Sequence, residues 1–231
     1  MKISGSVALI TGANRGIGRL IAAELQARGA AKVYATARRP ESIDLPGVET
    51  LALDVTDPAS VAAAAEAAPD VTLLINNAGI STSTDLVTGD LDQIRREMET
   101  HFFGPLGLVR AFAPILAANG GGAVVNMLSA LSWFAHPGAG AYAAGKAAAW
   151  SLTNSIRLEL AAQGTLVTGV HLGAADTDMT ANYDGPKIDP ATVATALLDG
   201  VEARRLEVVV DDWSAHVKAS LAGDPAVFYQ L

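Results

Sequence analysis

The chain contains no cysteine and is poor in histidine, aromatic residues and charge. Without a thiol, disulfides, thiol nucleophiles and thiolate metal sites are excluded. The four histidines are scattered and no two have the spacing of a metal-binding pair such as His-Glu-x-x-His, so we predict no metal site. Only 17% of the 231 residues are charged and 50% are hydrophobic, a composition typical of a globular protein with a large core.

Positive charge is also scarce, since the formal net charge is −8. An acidic chain offers no electrostatic footprint for nucleic acid or for an anionic membrane surface, so we predict neither as a partner. The apolar run at residues 7–10 is too short for a signal peptide or a membrane span. We therefore expect a cytoplasmic protein.

Short apolar runs rich in Val, Leu and Ile alternate with longer segments of helical spacing. The predicted strands are 7–10, 32–37, 50–53, 73–76, 123–128, 166–171 and 207–210. The predicted helices are 17–28, 59–67, 91–118, 142–163 and 190–203. Several of the strands are apolar throughout, which is typical of a parallel sheet covered by helices on both faces. No linker divides the chain, so we predict a single α/β domain over residues 1–231.

A glycine-rich turn joins the first predicted strand to the first helix, with the sequence Thr11-Gly12-Ala13-Asn14-Arg15-Gly16-Ile17-Gly18. Glycines at such a junction permit a tight turn and let the backbone approach a pyrophosphate, which the helix N-terminus attracts. The spacing is G-x-x-x-G-x-G rather than G-x-G-x-x-G, and an ordinary glycine-rich turn is the alternative. The position between strand and helix favours dinucleotide binding.

Two arginines follow the second predicted strand. In dinucleotide-binding folds the residue about twenty positions after the glycine turn meets the adenosine ribose, and an acid there favours NAD. This chain has Arg38, followed by Arg39, and Arg15 lies within the turn itself. A guanidinium can bind a 2′-phosphate with two hydrogen bonds, so the pattern favours NADP(H). The alternative is that the two arginines belong to a solvated loop.

These residues, together with further ordered motifs, resemble the short-chain dehydrogenase/reductase family over essentially the whole chain. The motifs are Thr11-Gly12-x-x-x-Gly16-x-Gly18, Asp54, Asn76-Asn77-Ala78-Gly79, Ser129, Tyr142-x-x-x-Lys146 and Thr177. The resemblance implies a Rossmann-type, doubly wound parallel sheet of about seven strands, a nicotinamide cofactor, and hydride transfer between that cofactor and an alcohol or carbonyl. It also implies a homodimer or homotetramer.

The resemblance implies a set of cofactor-binding residues, which we take as Gly12, Asn14, Arg15, Gly16, Ile17, Gly18, Arg38, Asp54, Val55, Asn76, Ala78, Gly79, Tyr142, Lys146 and Thr177. In this set Asp54, with the backbone of Val55, would contact the adenine. Asn76 and the backbone after it would form a wall beside a ribose, although that turn could equally cap a helix. Thr177 would hydrogen-bond the nicotinamide carboxamide or the diphosphate.

Three residues are candidates for the proton-transfer chemistry. Reduction of a carbonyl needs an acid near the nascent alkoxide, and Tyr142 can serve if a cation lowers its ordinary pKa of about 10. Lys146 lies one helical turn later on the same face and provides that cation. Ser129, at the end of the fifth strand, would donate a hydrogen bond to the substrate carbonyl. A lone Tyr-x-x-x-Lys is common on helix surfaces, but here it follows the glycine turn and Ser129.

The sequence departs from the family pattern at His101. The family relay has an asparagine in the long helix before the fifth strand, where it helps to hold a water that joins the lysine to solvent. His101 could replace it, since a neutral imidazole both donates and accepts, and activity would then depend on pH near the histidine pKa. Alternatively, the larger ring displaces the water and slows turnover. A milder departure is Gly145, where the family usually has a small hydroxyl residue.

Substrate selectivity is expected to come from residues 132–140 and from an irregular segment, residues 173–189, which we interpret as a substrate loop. The candidate pocket residues are Trp133, Phe134, His136, Met179 and Tyr183, and they predict a mainly apolar pocket. The alternative for Trp133 is a place in the core.

Together these patterns favour an NADPH-dependent carbonyl reductase that acts in reverse as an alcohol dehydrogenase. One alternative is an NADP-binding sensor or scaffold with little turnover, suggested by His101. Another is a non-redox enzyme on the same scaffold, such as a lyase or dehalogenase, against which the glycine turn and Arg38 argue. Fold alone does not make this choice.

Overall fold

The structure is a computed structural model that describes residues 1–230. Its centre is a parallel sheet of seven strands in the order β3-β2-β1-β4-β5-β6-β7. The strands are β1 Val7–Thr11, β2 Lys32–Ala37, β3 Glu49–Ala52, β4 Leu73–Asn76, β5 Ala123–Met127, β6 Leu166–His171 and β7 Glu207–Val209. The strand order reverses between β1 and β4, and in open sheets of this kind ligands bind at the carboxyl ends of the strands next to that reversal. The Rossmann-type prediction is thus confirmed.

Helices cover both faces of the sheet. They are α1 Gly16–Ala27, α2 Pro58–Ala67, α3 Leu91–Met98, α4 Gly104–Ala118, α5 Gly140–Glu159, α6 Pro190–Glu202, α7 Asp212–Ser220 and α8 Pro225–Tyr229. Side chains alternate across each strand, so Ala8 and Ile10 of β1 join the core on the α1 and α6 side, whereas Leu9 joins the core on the α2, α4 and α5 side. Burial on both faces explains why these strands are apolar throughout.

The predicted helix at residues 91–118 is continuous but changes its winding in the middle. Residues Glu99–Phe103 form a π-helical turn between α3 and α4. Pro105, the second residue of α4, has no N–H to donate to the carbonyl of His101 one turn earlier, and its ring would crowd that carbonyl in a regular α-helix. A wider turn relieves this conflict, and π-turns of this kind are frequent at functional sites.

The same helical stretch, Leu91–Ala118, is the one segment in residues 1–230 whose length and hydropathy would suit a membrane span. In the folded chain, its residues Leu108, Phe112 and Leu116 are buried in the core on the α2 and α5 side of the sheet. Its apolar face is therefore used to cover the sheet.

Two C-terminal helices, α7 and α8, were not predicted from the sequence. Both are short, so they show little helical periodicity. Their start signals are nevertheless present, because Asp211 accepts a hydrogen bond from the backbone of Ser214, and Asp224 accepts one from Ala226 just after Pro225. An Asp cap followed by proline is a recognised helix start.

Candidate active site

A large cavity of about 520 Å³ opens at the carboxyl ends of the central strands. All four candidate catalytic residues line it, namely His101, Ser129, Tyr142 and Lys146. Most of the candidate cofactor residues line it as well: Gly12, Asn14, Arg15, Gly16, Ile17, Gly18, Arg38, Asp54, Val55, Ala78, Gly79 and Thr177. The cavity lies within the size range of small-molecule and cofactor sites.

The glycine turn packs closely against the segment after β4 only because it lacks side chains. A Cβ atom on Gly18 would overlap the carbonyl oxygen of Gly12, and a Cβ atom on Gly12 would lie 3.0 Å from the Cα atom of Ala78. Gly12 and Gly16 also have positive φ angles of 68° and 53°, which favour glycine. Behind this cradle begins α1, whose N-terminus attracts anions. The cradle fits the pyrophosphate of a dinucleotide.

Asn77 secures the glycine turn, a role that we did not predict. Its side-chain nitrogen donates to the carbonyl oxygens of Thr11 (2.9 Å) and Gly12 (3.2 Å). The backbone N–H groups of Asn77 and Ala78 both donate to the hydroxyl of Thr11 at 2.9 Å. These bonds tie the segment after β4 to the end of β1. The Asn-Asn-Ala-Gly motif indicates that an asparagine acts at this position, but from the sequence we select Asn76 rather than Asn77.

Asn76 does not line the cavity. Its side chain is buried and donates to the side-chain oxygen of Asn126 at 2.8 Å, and Asn126 in turn donates to the hydroxyl of Thr153 at 2.8 Å. Of the predicted wall, Ala78 and Gly79 do line the cavity, and Asn77 lines it in place of Asn76. The reason is geometric, because the side chain of the last residue of β4 points into the sheet-helix interface, and only the residues after the strand reach its edge.

The part of the cavity beside the glycine turn and the end of β2 is positively charged. Arg15, Arg38 and Arg39 line it. Arg15 also forms an exposed ion pair of 3.0 Å with Asp178 across the opening. Asp54 lies beside this group; burial alone would raise its pKa, but hydrogen bonds from Thr56 and the charge of Arg38 hold that pKa below its usual value. An anionic phosphate at this end would therefore meet guanidinium groups.

Tyr142 and Lys146 lie one turn apart on the cavity side of α5, as the sequence predicts. Lys146 is buried, and its Nζ atom donates to the carbonyl oxygen of Met127 at 2.8 Å and lies 5.5 Å from the centre of the Tyr142 ring. Ser129 lies two residues after β5 and caps the short turn Ala130–Ser132, where its hydroxyl accepts a hydrogen bond from the backbone of Leu131 at 3.1 Å. Ser129, Tyr142 and Lys146 thus bring a hydroxyl, a phenol and an amine to one cavity.

Burial dominates the ionisation of this group. Burial and the charge of Glu97 raise the pKa of Tyr142, and the hydroxyl of Ser129 acts in the opposite direction. Burial lowers the pKa of Lys146 to about 8, although Glu97 opposes this shift. Without a cofactor, Tyr142 is therefore protonated near neutral pH and is in the form that can donate a proton.

His101 lies in the π-turn and is buried beside Tyr142, with a distance of 5.0 Å between the ring centres. Its Nε2 atom lies 2.9 Å from the carbonyl oxygen of Ile80 and 2.9 Å from Oε2 of Glu97. Burial and the charge of Lys146 lower the pKa of His101, and Glu97 opposes them. The ring is thus neutral near pH 7 and rests in a defined orientation.

Glu97 is a second buried group that we did not single out in the sequence. Its Oε1 atom accepts hydrogen bonds from the backbone N–H (2.6 Å) and hydroxyl (2.9 Å) of Thr82. Burial would raise the pKa of Glu97, but its contacts with His101 and Thr82 lower it. The available signal was the spacing of one helical turn between Glu97 and His101, which is common on exposed helices as well.

The candidate substrate residues are divided between two cavities. Met179 lines the large cavity, whereas Trp133 and Phe134 line a smaller cavity of about 180 Å³ against α7 and α8. Trp133 also stacks on His171 with 3.7 Å between ring centres. His136 and Tyr183 are exposed and line neither cavity. The ring of Trp133 is displaced from the large cavity because it fills the space over the end of β6.

The segment at residues 173–189 is irregular, as the sequence predicts, but it is anchored. The backbone N–H of Asp176 donates to the carbonyl of Ile188 at 2.9 Å, and that of Ile188 donates to Ala174 at 2.8 Å. Within the segment, Thr177 begins the short turn Asp178–Thr180 and lies close to Gly16, where an added Cβ atom would be 3.5 Å from its methyl group. Thr177 is therefore held against the glycine turn.

Two solved structures resemble this chain over nearly its full length. A short chain dehydrogenase from Burkholderia cenocepacia in complex with NADP superposes with a TM-score of 0.95 at 39% sequence identity, covering 100% of this chain and 98% of that one. A short-chain dehydrogenase from Sphingobium yanoikuyae in complex with NADPH gives a TM-score of 0.84 at 27% identity, covering 97% of this chain and 95% of that one.

Sequence comparison agrees with the structural likeness. The 3-oxoacyl-[acyl-carrier-protein] reductase FabG of Vibrio cholerae is 34% identical over 78% of each chain. Dehydrogenase/reductase SDR family member 7B of Bos taurus is 30% identical over 99% of this chain and 81% of its own. The family model described as short chain dehydrogenase matches residues 6–187. With its parallel sheet, its glycine cradle and its Ser129, Tyr142 and Lys146 around one cavity, the chain belongs to the short-chain dehydrogenase family.

Proposed function

We propose that this protein is an NADPH-dependent carbonyl reductase that reduces ketones or aldehydes and, in reverse, oxidises alcohols. The observation that carries the proposal is that Ser129, Tyr142 and Lys146 line the same cavity as the glycine cradle. A hydride donor held by the cradle and a proton donor on α5 would therefore reach the same substrate carbonyl.

The preference for NADPH is supported by charge. Arg15, Arg38 and Arg39 line the end of the cavity beside β2, where the 2′-phosphate of NADPH would lie. Guanidinium groups bind phosphate through paired, charge-assisted hydrogen bonds. The Burkholderia cenocepacia relative is in complex with NADP and the Sphingobium yanoikuyae relative with NADPH. We extend the same cofactor to this chain.

In the proposed mechanism, bound NADPH supplies the hydride that adds to the carbonyl carbon. Tyr142 donates its phenolic proton to the carbonyl oxygen as negative charge develops there, and its O–H bond breaks. Ser129 donates a hydrogen bond to the same oxygen and orients it. Lys146 stabilises the resulting phenolate electrostatically and anchors the cofactor ribose. The net reaction consumes one proton, which must return to Tyr142 from solvent.

We assign His101 to this return path, where it takes the place of the family asparagine. Its ring lines the cavity next to Tyr142, and its pKa is lowered, so it can both accept and release a proton. Of the candidate substrate residues, Met179 would contact the substrate directly. Trp133 and Phe134 would shape the smaller cavity. The exposed His136 and Tyr183 would contact only substrates that extend beyond the cavities.

We also propose a homodimer or homotetramer. The outer faces of α4 and α5 carry alanine and apolar residues that could pack against a second copy. Leu158 on α5 is 80% exposed, and Phe103 before α4 is 50% exposed.

The test is the consumption of NADPH by the purified protein against a panel of aldehydes and ketones, run beside Tyr142→Phe. We expect turnover for the wild type and a loss of at least about a hundredfold for the variant, since it lacks the acid. NADPH binding, followed by cofactor fluorescence, should be retained in the variant and shows that it is folded. Tight NADPH binding without turnover of any carbonyl, or turnover that survives in Tyr142→Phe, would contradict the proposal.

A further inference from the structure

Glu97 is a fully buried carboxylate beside the catalytic group, and the mechanism above does not use it. Its side chain has no solvent exposure. One oxygen, Oε1, is satisfied by Thr82, but the other, Oε2, is buried without a hydrogen-bond partner among the described residues. The polar group that lies beside Oε2 is the His101 ring, whose Nε2 atom is 2.9 Å away. A buried carboxylate oxygen without a hydrogen bond destabilises the folded protein, unless a neighbouring group such as His101 becomes positively charged and pairs with it.

The surroundings of His101 determine its tautomer. Its Nε2 atom faces two oxygen acceptors, the carbonyl of Ile80 and Oε2 of Glu97, and neither can donate a hydrogen to it in the ionised state. The hydrogen of the neutral ring must therefore be on Nε2, which leaves Nδ1 as an acceptor. The Cε1 and Nδ1 side of the ring faces Gly79, a residue of the cavity wall.

The ring occupies space that side chains at two neighbouring positions would otherwise fill. A Cβ atom on Gly79 would lie 3.0 Å from Cε1 of His101, and a Cβ atom on Gly145 would lie 3.2 Å from its Cβ and 3.3 Å from its Cδ2. Glycines therefore flank the ring on two sides. The imidazole therefore lies between the segment after β4 and α5, with its Nε2 atom toward Ile80 and Glu97.

We propose that Glu97 is a positioning residue for the reduction, which holds His101 with its hydrogen on Nε2 and stabilises the imidazolium, so that Nδ1 exchanges protons between solvent and the Lys146 and Tyr142 pair. The inference rests on the proposed reductase function. The arrangement matches the use of a buried carboxylate to orient a catalytic histidine in other enzymes. Here the histidine would act through Lys146 rather than on the substrate.

The proton transfers balance as follows. Each reduction breaks the O–H bond of Tyr142 and forms the O–H bond of the alcohol. The phenolate takes a proton from the Lys146 ammonium, and the resulting amine regains one that the His101 imidazolium releases from Nδ1 into the cavity that both residues line. The neutral imidazole is then reprotonated by the one solvent proton that each reduction consumes. Oxidation of an alcohol runs the same steps backward, and no further reactant is needed.

The charged groups around His101 set the expected pH dependence. Glu97 faces it from its own helix, and Tyr142 and Lys146 face it from α5, whereas the segment after β4 contributes the neutral carbonyl of Ile80. Removal of the Glu97 charge would disfavour the imidazolium. The pH limb of kcat that belongs to His101 should therefore move to lower pH.

The kinetic test compares Glu97→Gln, His101→Asn and the double variant, with Glu99→Gln as a matched control on the exposed side of the same helical stretch. The assay uses NADPH and the panel carbonyl that the wild type reduces fastest. We expect Glu97→Gln to lower kcat about tenfold with little change in KM and to move the His101 limb to lower pH, and Glu99→Gln to do neither. In the His101→Asn background, which lacks that limb, Glu97→Gln should lower kcat little further.

A direct effect of the Glu97 charge on Tyr142 and Lys146 would persist without His101 and would appear in the limb at higher pH, so the two effects are separable. If Glu97→Gln lowers kcat equally in both backgrounds, Glu97 only supports the Thr82 segment and the inference is overturned.

A second readout does not need turnover. Nitrogen-15 spectra of the histidine rings in the NADP-bound protein report the tautomer directly, and the His101 signal is the one lost in His101→Asn. We expect a hydrogen on Nε2 in the wild type, and in Glu97→Gln a titration shifted to lower pH. A hydrogen on Nδ1 would overturn the inference even in an active enzyme. The expected tautomer in a protein that reduces no carbonyl would contradict the proposed function instead.

Discussion

Gly145 lies directly against the side chain of His101, with only 3.2 Å between the position of an added Cβ atom and the Cβ atom of the histidine. The sequence shows these two residues as separate departures from the family pattern. The structure places them in contact, so a side chain at position 145 would press on both the Cβ and the Cδ2 atoms of His101.

The first prediction concerns this pair. We expect Gly145→Ala to lower the free energy of unfolding by about 1 to 2 kcal/mol in the wild type, since the added methyl overpacks against His101. In the His101→Asn background the loss should be smaller, because the contact with the Cδ2 atom of the ring is gone while the contact with the Cβ atom of residue 101 remains, and alanine is the better helix former. Urea unfolding of the four proteins measures this coupling. Equal effects in both backgrounds would mean that the two residues are independent.

The second prediction concerns the glycine cradle. Gly18→Ala should weaken NADPH binding by at least about tenfold, because its methyl group would displace the carbonyl of Gly12 and close the turn. Gly107→Ala on α4 is the matched control, since an added Cβ atom there meets nothing within 4 Å. Isothermal titration with NADPH measures both. Unchanged affinity in Gly18→Ala would show that the pyrophosphate lies elsewhere.

The third prediction concerns the choice of cofactor. Arg38→Ala should weaken the binding of NADPH by about tenfold or more while changing that of NADH little, because only NADPH has the 2′-phosphate that a guanidinium binds. Arg110→Ala, on the exposed side of α4, controls for the loss of one positive charge. Titrations of each variant with both nucleotides give the ratio. A parallel loss for NADPH and NADH would place Arg38 away from the phosphate.

The fourth prediction concerns Lys146, whose pKa falls from 10.5 to about 8 on burial. Below pH 8 the folded protein holds a buried charge that the unfolded chain exposes to water, so Lys146→Met should raise the free energy of unfolding of the cofactor-free protein by about 2 kcal/mol. The variant should also lose activity. This trade of stability for function is common at active sites.

The pH dependence checks the cause of that gain. Between pH 8 and 10.5 the folded wild type has released the Lys146 proton while the unfolded chain keeps it, so the wild type gains stability as the pH rises. The advantage of Lys146→Met should therefore shrink over this interval and vanish above it. An advantage that is the same at every pH would come from packing instead.

The central part of the fold could be predicted from the sequence because its strands are buried on both faces and thus apolar throughout. Each of the seven predicted strands overlaps the observed one closely, as with residues 32–37 and β2, which coincide. The helices α7 and α8 were missed because they are short and only partly apolar, and their Asp caps are weak signals without a periodic run behind them.

The candidate site was predictable where a motif fixes backbone geometry and unpredictable where side chains meet across elements. The glycine turn, Ser129, Tyr142 and Lys146 all reach one cavity. The contact between Glu97 and His101 depends on the π-turn, which no local pattern indicates. Trp133 lies over His171 because two strand ends and α7 meet there, a long-range arrangement that composition does not encode.

The hydroxyl of Tyr229 in α8 accepts a hydrogen bond of 2.9 Å from the backbone N–H of Ala135, a few residues after Ser129. The helix α8 is thereby fastened to the segment that leads from Ser129 to α5. Substitutions in α8 can then reshape this segment while Ser129, Tyr142 and Lys146 stay unchanged. A library aimed at the proposed carbonyl specificity would best be concentrated in this helix, away from the residues to which we assign the reaction.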